Sequence, residues 1–261
     1  MNLFKSVSTI LFFALVLIGC SNQPGVNEDP ITEYKASSEE IVFDDLIAEI
    51  DLNDTLSRGN SLFYSKPNGA SIEVYVFVNE KGETVKMIES YIDGGSSSIC
   101  SNTFYFKDGG RFASKEKFEV GEGEEGYFVE RVSYYDEKDK PIVSKKRSAT
   151  YEEELDFEMF SPIEKYNCSM ERALSVLNQS GPFATTFQGF VKEEPYTYII
   201  VGENKLDGYS SSLVVQNVDR TIQVLKENER DMIGKAVIIE FETVRSAEGY
   251  EYQILHSVQL R

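Results

Sequence analysis

His256 is the only histidine in the chain, so any Ser-His-Asp or Cys-His machinery would have to use it. It lies between Leu255 and Ser257 in a strand-like pattern, and no Gly-x-Ser-x-Gly elbow occurs anywhere. A structural or surface role is therefore expected for it. The 44 acidic residues must contain pairs that folding brings to glycosidase spacing, but nothing in their order selects one pair. Residues Asp93–Ser98 are rich in glycine and serine yet lack the lysine and the following helix of a phosphate loop, so they read as a hairpin loop. No catalytic residue, cofactor or metal is expected. Two distant cysteines and one histidine are too few ligands for structural zinc.

The remaining reactive residue type is cysteine. Cys20 stands at the end of an apolar run, Ile10 to Ile18, which Lys5 precedes as the only charge before Glu28. The run is about half of the ~20 residues that a membrane-crossing helix needs, and it fits the apolar part of an export signal. Its end, Leu17-Ile18-Gly19-Cys20, resembles the lipobox of bacterial lipoproteins. The resemblance implies removal of residues 1–19 and acylation of Cys20, whose chains, at about 0.8 kcal/mol per buried CH₂, would anchor the protein permanently. With Ser21 next to the cysteine, it also implies the outer membrane of a bacterial envelope. Residues 20–37, polar and carrying Pro24, Gly25 and Pro30, read as a tether. In such an oxidising compartment Cys100 and Cys168 are expected to close a disulfide, worth on the order of 4 kcal/mol. The alternative is a pair of buried thiols acting as small hydrophobes.

Charge narrows the partners. The chain has 26 basic and 44 acidic residues, a net charge of −18, and losing the leader would remove Lys5 but no acid. Nucleic acid is not expected, because its affinity comes mainly from Lys and Arg on phosphates. An envelope protein or a small ligand is the expected partner, beside the membrane reached through Cys20.

Periodicity supplies the elements. Phe43, Leu46, Ile47 and Ile50 recur at helical spacing after a capping-box pair, Ser37 and Glu40, which predicts a helix over 38–52. From 61 to 149 the period changes to two. Strand runs Ile72–Val78, Val85–Tyr91, Phe104–Lys107, Arg111–Val120, Phe128–Tyr135 and Pro141–Ser148 alternate with turns opening at Asn79, Asp108 and Asp136. Those openings are 29 and 28 residues apart, which predicts consecutive hairpins in an antiparallel meander. The unit is similar to the hairpin repeats of MORN-like proteins, although the last copy has Lys138-Asp139-Lys140 where a turn glycine is expected. The acidic stretch 151–158 reads as a solvated edge. A second helix near 169–179 should turn Met170, Ala173, Leu174 and Leu177 inward and stop at Gly181-Pro182.

After that boundary come three strands (Phe183–Lys192 with Gly189 inside, Tyr196–Gly202, Tyr209–Gln216), a helix near 220–228 capped by Asp219, and two strands (Lys235–Arg245, Tyr250–Leu260). The order resembles an OB-fold barrel. The resemblance implies a binding face on its second and third strands, where Tyr196, Tyr198 and Tyr209 could present rings. Eight basic residues against twelve acidic ones in 181–261 leave no groove for phosphates. The expected chain is thus mainly β with minor α: signal peptide 1–19, tether 20–37, an antiparallel β-sheet domain 38–180 and an OB-like barrel 181–261. Its expected role is non-enzymatic binding or protein interaction in the envelope. The alternatives are a lipid or hydrophobic-ligand carrier and an acid-dependent hydrolase of envelope glycans.

Overall fold

Ser37 opens the first helix as its sequence predicts. Its hydroxyl accepts from the Glu40 amide at 3.2 Å, and the Glu40 carboxylate accepts from the Ser37 amide at 2.8 Å. Helix α1 (Ser38–Leu52) is the first element of a computed structural model that describes residues 34–95, 98–121 and 126–261. The predicted signal, Cys20 and most of the predicted tether lie outside the described residues. Among those described, no helix is long and apolar enough to cross a membrane.

The fold is mainly β, as expected. Strands β1 (Ser57–Asn60), β2 (Tyr64–Ser65), β3 (Ser71–Val78), β4 (Thr84–Ile92), β5 (Cys100–Lys107), β6 (Gly110–Val120), β7 (Tyr127–Tyr135), β8 (Pro141–Ala149) and β9 (Ser161–Ile163) fill the first part. From β3 to β9 each pairs antiparallel with the next, so the predicted meander is present. The turn chemistry explains the spacing. Asn79 Oδ1 accepts from the amides of Lys81 and Glu83, both at 3.0 Å, and Asp136 Oδ1 accepts from those of Lys138 and Lys140 at 2.9 and 3.0 Å. Gly82 takes φ +79° in the first of these turns, and Asp139 takes φ +59° at the matching place in the other. The missing glycine is therefore replaced by an aspartate, one of the few side chains that tolerates this region. The middle turn differs: Asp108 and Gly109, at φ 51° and 80°, make a tight two-residue hairpin.

Helix α1 packs on one face of this meander. Phe43 stacks on Phe112 and Tyr134, with ring centroids 5.6 and 5.5 Å apart. Asp44 accepts from the Tyr134 hydroxyl at 2.5 Å and from Lys145 at 3.0 Å, while Asp51, two turns on, accepts from Tyr105 at 3.0 Å and Lys86 at 3.2 Å.

Helix α2 (Glu171–Leu177) lies within the predicted span and turns most of the expected face inward. Met170, Ala173 and Leu177 pack on the core as expected, but Leu174 is exposed and Val176 is buried instead. The chain then forms β10 (Thr186–Glu193), β11 (Tyr196–Gly202), β12 (Ser210–Val214), α3 (Arg220–Glu227), α4 (Glu229–Met232), β13 (Val237–Arg245) and β14 (Glu251–Leu260). Asp219 caps α3 by accepting from the Ile222 amide at 2.8 Å, which aims Ile222 and Leu225 into the core. Gly189 sits at a bulge with φ +131°, where a Cβ would lie 3.0 Å from Glu229 Oε1. That oxygen accepts from the Phe190 amide at 2.8 Å, so the bulge docks α4.

Pairing closes these five strands on themselves. β10 pairs with β11, β11 with β12, β12 with β14 in parallel, and β14 with β13. A bridge between Thr186 and Ala236 returns to β10. The chain crosses the predicted boundary at 180 without a break in packing. β2 pairs with β12, the Tyr64 hydroxyl donates to the Phe183 carbonyl at 2.8 Å, and Tyr34–Arg261 forms one compact unit. One apolar core joins Leu62, Ile72 and Phe104 to Phe187, Leu213 and Leu255.

Candidate ligand cleft

Two strands bring aromatic rings to one surface by simple alternation. In β3, Glu73 and Tyr75 point away from the core that takes Ile72 and Val74. In β11, Tyr198 points away from the core that takes Ile199 and Val201. Between these faces lies a cleft of about 380 Å³, completed by Phe63, Ser212, Val214, Thr243, Glu251, Tyr252 and Gln253. That volume is near the lower end of small-molecule sites, roughly 300 Å³ and up.

The walls are fixed by hydrogen bonds. Gln253, buried, accepts from the Phe63 amide at 3.0 Å and donates to the Ser61 carbonyl at 2.9 Å, tying the Phe63 segment to β14. Asn60 donates to both Glu73 Oε1 and Thr243 Oγ1 at 2.7 Å. The Tyr75 hydroxyl donates to Glu73 Oε2 at 2.7 Å, and burial, then the bond to Glu73, pushes this phenol above its ordinary range. The hydroxyls of Tyr198, Ser212 and Tyr252 have no hydrogen-bond partner among the described residues. The cleft therefore offers aromatic walls, with Tyr75 held by its hydrogen bond, two carboxylates, and three hydroxyls of which those of Ser212 and Tyr252 are exposed.

A second cleft, of about 650 Å³, opens on the meander face opposite α1. Strand register places Glu89, Asn102, Glu116 and Arg131 side by side across β4 to β7. Glu89, only 1% exposed, receives Arg172 Nε at 2.7 Å and Nη2 at 3.0 Å, plus Asn102 Nδ2 at 2.6 Å. Burial pulls the Arg172 value down, but the hydrogen bonds and charge of Glu89 outweigh it and raise it overall. Glu116 receives Arg131 Nη1 at 3.0 Å and the Tyr166 hydroxyl at 3.2 Å. Two strand spacings put Glu89 and Glu116 roughly 10 Å apart at the backbone. This is the arrangement nearest to a paired-carboxylate site, yet both side chains already face guanidinium donors.

The predicted site residues fall in different places. Tyr198 lines the aromatic cleft, and Tyr196, exposed, meets it edge-on at 6.3 Å. Tyr209 lies in the second cleft instead, packed 4.8 Å from Phe183 with Lys66 Nζ 4.4 Å over its ring. The expected disulfide is not formed, and Cys100 and Cys168 are buried free thiols. Their surroundings differ. Cys100 sits beside Tyr91 and Asp93, whereas Cys168 faces Glu116 and its backbone is held by Tyr135 at 3.0 Å and by Arg111. Burial raises both thiols, Cys168 far more. His256 is exposed, 3.3 Å from Glu242. Phe63, Glu73, Tyr75, Glu251 and Tyr252 were not singled out from sequence. For the β3 pair a signal existed, because Glu73, Tyr75 and Phe77 occupy the outward parity of an alternating strand. For Phe63 and Tyr252 there was none. No protein-family model matches the chain, and comparison with curated proteins finds no match.

Proposed function

We propose that this chain is a lipid-anchored protein of a bacterial outer membrane that acts by binding, with the aromatic cleft as its ligand site. The observation that carries the reading is the convergence of the rings of Phe63, Tyr75, Tyr198 and Tyr252 with the carboxylates of Glu73 and Glu251 on one cleft. Rigid aromatics with free polar edges suit recognition at low entropic cost, and a few polar groups in an otherwise ring-lined pocket set orientation. The strand pairing of 186–260 supports an OB-like barrel, whose second and third strands, β11 and β12, carry Tyr198 and Ser212. The sequence Leu17-Ile18-Gly19-Cys20 supports the anchor.

The test uses full-length protein in non-ionic detergent, exposed to small molecules and glycans extracted from bacterial envelopes, with bound species identified by native mass spectrometry. A Tyr198→Ala, Tyr252→Ala double variant should lose about tenfold or more of the captured ligand, as expected when two stacking rings are removed. Capture unchanged by both substitutions would sink the assignment of the cleft. Separately, Cys20→Ser should move the protein from the membrane to the soluble fraction.

A further inference from the structure

We propose that the ligand of the aromatic cleft carries an alkylammonium group, and that Arg58 holds the cation's place until the ligand displaces it. This rests on the cleft being a ligand site, and adds what chemistry enters it. Arg58 leaves β1, an exposed strand that pairs with β3 alone, and reaches across to β14. Its guanidinium carbon lies 5.1 Å from the centroid of the Tyr75 ring, and Nη2 is 3.1 Å from Glu251 Oε1. A cation is thus already seated between a ring face and a carboxylate of the cleft wall. The seat is loose, with the Arg58 and Glu251 side chains 45% and 36% exposed, and an exposed pair of this kind contributes little to stability.

Arg58 is not itself a lining residue, and the lining agrees with a cationic guest. Its ten residues include two acids and no base. Glu73 has both oxygens engaged by Asn60 and Tyr75, so it adds negative potential without needing a partner. Glu251 is the carboxylate that a ligand can take over. Ring faces attract cations through their quadrupole, and methylated ammonium groups gain most, since they desolvate easily. A chain of net charge −18 also raises the local concentration of cations and repels anions.

The probe is choline, titrated by calorimetry into the full-length protein in non-ionic detergent and compared with its uncharged carbon isostere. Choline should bind about tenfold or more tightly than the isostere, the discrimination expected of a cation on aromatic faces. Arg58→Ala should tighten choline by about three- to tenfold, because the internal competitor is gone and Glu251 is released. Glu251→Gln should weaken it by about tenfold. A purely structural Arg58 predicts the opposite sign for its own variant. Equal binding of choline and isostere, or weaker choline binding by Arg58→Ala, overturns the cation proposal and leaves the cleft as a ligand site. Absence of choline binding to both parent and Arg58→Ala also overturns it, and the envelope-extract experiment then judges the cleft on its own.

Discussion

Both clefts set carboxylates among aromatic rings, but of the two only the meander cleft has bases in its lining, Lys66 and Arg172, and its buried carboxylates are matched. In the meander cleft Glu89 is matched by Arg172 and Asn102, and Glu116 by Arg131 and Tyr166. The segment that covers it is held down as well: Arg111 donates to Asn167 at 2.9 Å and to the Cys168 carbonyl, with its ring partner Tyr135 at 3.7 Å. The match is incomplete: Arg131 Nε is a buried donor without a partner, and the Tyr209 hydroxyl and the Glu171 carboxylate also have none among the described residues. In the aromatic cleft neither carboxylate is buried, and the ion pair on its wall, Arg58 with Glu251, is exposed. Charges buried in a sheet are tolerated only when paired, so the first arrangement is what folding demands of a polar interior. The larger cleft is the weaker candidate because its buried carboxylates are tied up in holding the sheet and its covering segment.

That contrast can be broken most directly at Arg172. Arg172→Ala strands the Glu89 carboxylate in the sheet interior and should cost about 3 kcal/mol in urea unfolding, the lower part of the range for breaking a buried pair, since Arg172 itself is 40% exposed. A loss below about 1 kcal/mol would show that water reaches Glu89 and that the meander cleft is open for ligands. Next in size is the thiol beside Glu116. Burial raises the Cys168 pKa above its ordinary value of 9.0, so the neutral thiol is the favoured folded form. Its stabilising contribution is complete below that value and is lost as pH rises above it. Ellman's reagent should find Cys168 silent in the native protein up to about pH 9, and both Cys100 and Cys168 reactive once unfolded. Failure to recover two thiols on unfolding would restore the disulfide. The smallest effect belongs to the aromatic cleft, where Tyr198→Phe and Tyr252→Phe should each leave stability within about 0.5 kcal/mol in the same urea assay. A larger loss would mean that these hydroxyls serve the fold.

Much of the architecture was written in local pattern. The α1 span, its Ser37–Glu40 cap, the hairpins of the meander, the Asp219 cap and the inward Ile222 and Leu225 all follow from contacts within a few residues. Even the turn lacking glycine obeys a local rule, since Asp139 can take the left-handed conformation that Gly82 takes in its counterpart. In helix α2 the pattern placed Met170, Ala173 and Leu177 correctly but put Leu174 inside in place of Val176, because seven residues give too few turns to fix the edge of the buried face.

The sites divide along the same line. The barrel resemblance already named Tyr196, Tyr198 and Tyr209 as rings on a binding face, and composition already disfavoured phosphate ligands. Only the folded chain decided that β3 and β11 would face one cleft with Phe63 and Tyr252, that Tyr209 would turn into another, and that Cys100 and Cys168 would stay apart. The physical reason is range. Side-chain parity is set by the residue's own strand, whereas which strands meet is set by the single core that joins Leu62 and Phe104 to Phe187 and Leu255 across more than 80 residues of chain.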